Sequence, residues 1–207
     1  MVTWEKLVLF IGVTAVLAVT PGPDVIYVLT RGMAQGTKAA LAAAFGFATG
    51  SLAHTAFAIV GISAILQASA VAFMVIKLVG AGYLIYLGLR ALFDKSHFDI
   101  SGKLEGKQIK QIYKQSVIAN ILNPKVAIFY LSFLPQFINQ DSRAWTQLLE
   151  LGAVFMVMTI LVFGVIGVFA AKLGEQLKKN DKIAGSIRYV SGSVLCLLGI
   201  GLAIHDR

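Results

Sequence analysis

The chain alternates long apolar runs with short polar gaps. Six runs stand out, at about 7–30, 39–66, 70–90, 115–138, 148–171 and 187–204. As helices rising ~1.5 Å per residue, runs of this length cross most or all of a hydrocarbon core of ~30 Å. The strands of a membrane barrel would be ~10 residues long and would alternate in polarity. These runs do neither, and over such lengths in lipid only a helix pairs all of its own backbone. From Ala39 to Leu89 the only side chains expected to carry charge are His54 and Lys77. The pattern predicts an all-α polytopic protein with one membrane domain over residues 1–207 and a single sizeable polar loop at 91–114.

Two of the runs contain helix breakers. The first holds Thr20-Pro21-Gly22-Pro23-Asp24. Proline has no N–H and clashes with the preceding turn, so a helix should stop near Val19. Thr20 is then placed to cap a new helix with Pro21 in its first turn. Asp24 would fall in that turn, where the positive helix end favours an anion. It is the only acid between Lys6 and Asp94, and it would lie ~10 Å inside the inner boundary. An intramembrane carboxylate costs several kcal/mol unless it is paired. Two readings stand: a kinked helix whose Asp24 ties up freed backbone amides, or a site for a substrate ammonium or a coupling proton.

The second break is Asn123-Pro124-Lys125. Asparagine caps well and proline suits the first helical position. Lys125 would lie ~15 Å inside span four, too deep to snorkel easily, which makes Asp24 a natural partner. A helix start there also offers free N–H groups to a substrate carboxylate. Three spans in each half would give the halves opposite orientation, an inverted repeat in which each half opens on a broken helix.

Charge supports this arrangement. Thirteen lysines and arginines fall in the odd-numbered connections, among them Arg31, Lys38, Arg90, Lys107 and Lys172, and three fall on the other side: Lys6, Arg143 and Arg207. The positive-inside rule then sets the odd connections in the cytoplasm and both termini outside. Only 14% of residues are charged and 57% are hydrophobic, against about 25% charged in soluble proteins. The net charge of +8 therefore reads as membrane topology and not as a nucleic-acid surface. The first run resembles a signal peptide in outline, but it continues past Ala18 into two prolines and is read as a retained span.

Two more polar residues lie inside spans. His54 follows Ala42, Gly46 and Gly50 at steps of four, a small-residue packing stripe that should turn it toward protein. It suits a hydrogen-bonded packing role or a proton relay. Lys77 shares a face with Gly80, Ala81, Leu84 and Gly88, and it should also face the bundle unless it snorkels outward. Tyr83, Tyr86, Phe129 and Tyr130 suit either a substrate route or packing. There is no phosphate-binding loop, no metal-ligand spacing and no nucleophile beside a base, and Cys196 is alone. Nothing implies an enzyme, a cofactor or a metal centre.

These motifs resemble a family. Thr20-Pro21-Gly22-Pro23-Asp24, Gly46-x3-Gly50, Lys77-x2-Gly80-Ala81-x-Tyr83-Leu84-x2-Leu87-Gly88, and Asn123-Pro124-Lys125 followed by Phe133-Leu134-Pro135-Gln136-Phe137 are similar, in this order, to those of LysE/RhtB amino-acid exporters. The resemblance implies a bacterial inner-membrane exporter driven by the proton gradient. It carries a substrate or coupling role to Pro21, Gly22, Pro23, Asp24, His54, Lys77, Asn123, Pro124 and Lys125. Members that export lysine or arginine have an acid near the place of Gly50. The glycine here points to neutral amino acids or close derivatives, of the threonine, homoserine, homoserine lactone or leucine class. The implied partners are such a substrate, protons and the lipid bilayer, and assembly into a homo-oligomer is compatible with them. An exporter of another small solute or metal ion, or a membrane scaffold, remains the alternative.

Overall fold

A computed structural model describes residues 1–68, 70–93, 106–139, 143–178 and 181–204. Among them the regular structure is all helical: α1 Trp4–Val19, α2 Pro23–Gln35, α3 Thr37–Ala68, α4 Ala70–Phe93, α5 Ile109–Ile121, α6 Pro124–Phe137, α7 Ala144–Lys178 and α8 Asp181–Ile204. Residues 94–105 of the loop expected at 91–114 lie outside the described residues, and 109–114 belong to α5 rather than to a loop.

Each expected break is a sharp bend. α1 meets α2 at 64° and α5 meets α6 at 50°. If each bent pair is one span, they join Thr37–Gly61 of α3 and Ala144–Lys172 of α7 as four segments long and apolar enough to cross a membrane. The other two expected spans, 70–90 and 187–204, coincide with α4 and α8 and are not among the four.

α1 stops at Val19, as the prolines require. Thr20, expected to open the next helix, instead closes this one: its N–H and its hydroxyl both donate to the Val16 carbonyl oxygen, at 3.0 and 2.7 Å. The N-cap of α2 is Gly22 and its first residue is Pro23, beyond the expected Pro21. α2 then runs to Gln35, so Arg31, read from sequence as part of a cytoplasmic connection, lies inside a helix. Gly36, at φ 78°, turns the chain into α3.

Small residues set how closely the helices approach. α3 packs on α7 and α5, α4 on α8 and α6, and α2 on α7. A Cβ at Gly46 of α3 would lie 2.5 Å from the Tyr113 carbonyl oxygen of α5, and one at Gly50 would lie 2.6 Å from the Asn120 Cβ. Gly80 of α4 receives the Ser132 side chain of α6, and Gly152 of α7 receives Thr55 of α3. Phe10, Phe129, Phe133, Phe137 and Phe155 form a buried aromatic core with Tyr130. Phe129 and Tyr130 are therefore packing residues, while Tyr86 is exposed.

Two glycine substitutions should behave oppositely. Gly46→Ala drives a methyl group into the α5 backbone and should cost about 1–3 kcal/mol. At Gly82 an added methyl group would meet nothing within 4 Å, so Gly82→Ala should gain about 0.5–1 kcal/mol through helix propensity. Thermal unfolding of the two variants in detergent measures both signs.

Candidate functional site

The two breaks come together. Asp24 is the second residue of α2 and Lys125 the second residue of α6, each directly after the proline that starts its helix. Lys125 Nζ lies 3.3 Å from Asp24 Oδ1, and the two side chains are only 5% and 4% exposed. Nζ also donates to the Thr20 carbonyl oxygen at 3.2 Å. In an unbroken helix that carbonyl would take the N–H of residue 24, so the lysine caps the end of α1 while it neutralises Asp24. Asp24 Oδ1 also accepts the Val25 N–H at 3.1 Å. Asp24 thus both ties up a backbone amide and forms a buried ion pair.

Local sequence fixes this geometry. The Asn123 side chain accepts the Lys125 N–H at 2.9 Å and sets the start of α6. Gly22 lies beneath the ion pair: a Cβ there would be 2.9 Å from Asp24 Oδ1 and 3.2 Å from Lys125 Nζ. Its φ of −171° suits any residue, so close approach and not backbone conformation demands glycine. Pro21 is half-buried, while Pro23 and Pro124 are exposed and act by shaping the backbone.

His54 joins the second break through Asn120. Its Nε2 donates to the Asn120 carbonyl oxygen at 2.9 Å, which places the ring proton on that nitrogen. The carbonyl would normally take the N–H of residue 124, which proline lacks. The Asn123 N–H also reaches it, at 2.9 Å. The ring stands 5.6 Å from that of Tyr130. Near it, Thr55 Oγ1 hydrogen-bonds the Ser51 carbonyl oxygen at 3.1 Å and the Tyr130 hydroxyl at 3.3 Å. Lys77 is buried on α4, one turn from the place where Gly80 receives Ser132 of α6. The structure therefore gathers Gly22, Asp24, Asn123 and Lys125 and attaches His54 through Asn120, while Lys77 is buried on α4.

The electrostatics favour a further anion. Lys125 and Asp24 cancel, while the starts of α2 and α6 each contribute roughly half a positive charge at this point. The first-turn amides of a helix are also donors for a carboxylate.

Sequence reasoning missed two sets of residues. One bridges α2 and α5. Arg31 donates to Gln35 Oε1 at 2.7 Å and lies 5.2 Å over the Tyr27 ring. Gln35 in turn grips the Lys107 backbone, accepting its N–H at 3.1 Å and donating to its carbonyl oxygen at 2.8 Å. Tyr27 and Lys107 both donate to Gln115 Oε1. The signal was present, since Asp24, Tyr27, Arg31 and Gln35 recur at helical spacing on one face. The other is Asn120, four residues before a proline, whose carbonyl was bound to lose its helical donor.

Residues 15–206 match the family model described as "LysE type translocator". The chain is 32% identical to the "Uncharacterized membrane protein YrhP" of Bacillus subtilis (strain 168), over 95% of this chain and 97% of that protein. It is 30% identical to the "Leucine efflux protein" of Enterobacter sp. (strain 638), over 83% of each. It is 26% identical to the "Homoserine/homoserine lactone efflux protein" of Salmonella typhi, over 93% of this chain and 97% of that one. No solved structure matches. With helix breaks, apolar helices and a family match over most of its length, the chain belongs to the LysE family of translocators.

Proposed function

We propose that the protein is a secondary transporter that exports neutral amino acids or close derivatives from the cytoplasm in exchange for protons. The observation that carries this reading is the buried Asp24–Lys125 pair at the meeting point of two helix starts. A zwitterion can replace each partner of the pair with one of its own charges. Its carboxylate can take Lys125 and the first-turn amides, and its ammonium can take Asp24. Asp24 can hold the substrate ammonium or a proton but not both, so the two compete for one carboxylate, and a proton arriving from outside favours release of the substrate. The names of relatives, homoserine/homoserine lactone and leucine efflux proteins, support the substrate class.

The remaining topology belongs to the same proposal. Two inverted three-helix halves would rock about the site, each contributing one broken helix. The protein would sit in the inner membrane with both termini outside, where the lysine-rich connections face the cytoplasm. His54 serves the second break by holding the Asn120 carbonyl, and Lys77 contributes a buried lysine from α4.

Two outcomes follow. Loss of one partner from a buried pair strands the other, so Asp24→Ala and Lys125→Ala should each lose about 3–5 kcal/mol of stability. The double variant Asp24→Lys with Lys125→Asp should recover most of that loss, because both positions are second residues of their helices and meet the same kind of helix end. Detergent melting curves read this out, and singles that melt like wild type would remove the pair as a structural element. In proteoliposomes, wild type should move threonine, homoserine or leucine faster when a proton gradient is directed against the substrate flow. Asp24→Asn should lose that acceleration. Movement of none of the three would sink the transport reading, and an unchanged proton dependence in Asp24→Asn would remove Asp24 from coupling.

A further inference from the structure

The ion pair lies where four half-helices end, and one kind of contact occurs twice around it. On one side the first half of span one meets the second half of span four, α1 against α6. On the other the first half of span four meets the second half of span one, α5 against α2. In the proposed topology the α1–α6 contact lies toward the outside and the α2–α5 contact toward the cytoplasm.

The two contacts are built from opposite materials. Phe10 of α1 packs on Phe137 and Phe129 of α6, with ring centroids 5.1 and 6.2 Å apart. Phe10, Val13 and Leu17 share one buried cluster with Phe133, Leu134 and Phe137. The α2–α5 contact is mainly polar. Among the described residues, only Ile112 of α5 joins the buried cluster that holds Val25 and Val28 of α2. The Tyr27 hydroxyl donates to Gln115 Oε1 at 3.1 Å, and Lys107 Nζ donates to the same oxygen at 2.9 Å. Gln35 holds the Lys107 peptide, just before the start of α5, at its N–H and at its carbonyl oxygen, 3.1 and 2.8 Å away. Gln115 is exposed and Tyr27, Gln35 and Lys107 are half-buried, so water can reach these bonds.

This difference decides which side parts more readily. Drawing α1 from α6 exposes packed rings to water. Drawing α2 from α5 exchanges hydrogen bonds within the protein for hydrogen bonds to water, at small net cost. The polar contact is also tied to the ion pair, which is otherwise shut off. Asp24, Tyr27 and Gln35 share one face of α2, and α5 leads directly to Asn123 and Lys125.

We infer that the Tyr27–Gln115 and Gln35–Lys107 bonds form a latch on the cytoplasmic side of the site. They hold α2 against α5, and their parting opens the Asp24–Lys125 pair to a substrate arriving from inside. The inference rests on the export reading above and names the closure which that reading requires on the loading side.

The test labels a thiol placed beside the ion pair. Thr20→Cys supplies it, in a Cys196→Ser background that removes the natural thiol. A membrane-impermeant, negatively charged methanethiosulfonate reagent is applied to inverted and to right-side-out membrane vesicles. Gln115→Ala removes the acceptor of two bonds at an exposed position, and Gln35→Ala removes both bonds to the Lys107 peptide. Each should raise the labelling rate in inverted vesicles roughly 5-fold or more over the parent, without raising it in right-side-out vesicles. Gln115→Glu keeps an oxygen for both donors and should label as slowly as the parent. Parental rates for both alanine variants in inverted vesicles overturn the latch. So does equal acceleration from both faces, the mark of general loosening, or a Gln115→Glu rate as fast as that of Gln115→Ala. Labelling needs no transported substrate, so it reads the latch separately from the export reading, which falls if wild type moves none of threonine, homoserine and leucine in proteoliposomes.

Discussion

The ion pair between Asp24 and Lys125 is the contact on which the centre of the molecule depends. Two helices stop inside the fold, and each stop leaves backbone groups without helical partners. Lys125 answers three needs at once. It neutralises the buried acid of the first break, it bonds the Thr20 carbonyl at the end of α1, and it ties α6 to α2. Asp24 answers two, by taking Lys125 and the Val25 amide. Neither residue could be replaced alone without leaving a buried charge and at least one buried backbone group unpaired, so the two breaks are energetically one feature.

The same economy appears at the other end of the second break. Pro124 deprives the Asn120 carbonyl of its donor, and His54 supplies one from α3. A basic side chain from a different segment thus caps the carbonyl end exposed at each break: Lys125 at Thr20, His54 at Asn120. This explains why His54 is buried on the glycine face of α3. Gly46 and Gly50 bring α3 against α5, and that approach puts the imidazole within reach of the carbonyl.

Much of this was legible in the sequence, because it follows from residues with few options. The prolines at 21, 23 and 124 had to interrupt their apolar runs, Asn123 had to cap, and Asp24 and Lys125 had to find partners in an apolar setting. Which proline would open α2 was not legible. Thr20 can cap forward or bond backward, and only the packing that draws Lys125 onto its carbonyl decides for the second. Arg31 misled for a related reason. At the edge of an apolar run a basic residue normally marks a connection, but Tyr27 and Gln35 on the same helix face give it a buried seat. Asn120 was legible only by its place four residues before Pro124; that His54 would supply the missing donor depends on how closely α3 packs against α5.

The positional equivalence of Asp24 and Lys125 has a consequence for charge. Each is the second residue of a helix, where the positive end of the dipole stabilises an anion and opposes a cation. Asp24 sits in a favourable field and Lys125 in an unfavourable one, so the lysine depends on its counter-ion more than the acid does. That asymmetry decides how the pair can be opened. An anion that takes Asp24's place at Lys125 is welcomed by both helix ends, whereas a lone cation approaching Asp24 is opposed by them and by the lysine. Under the export reading the substrate carboxylate therefore leads, and the ammonium follows onto the released Asp24, the same oxygens that a proton would otherwise occupy.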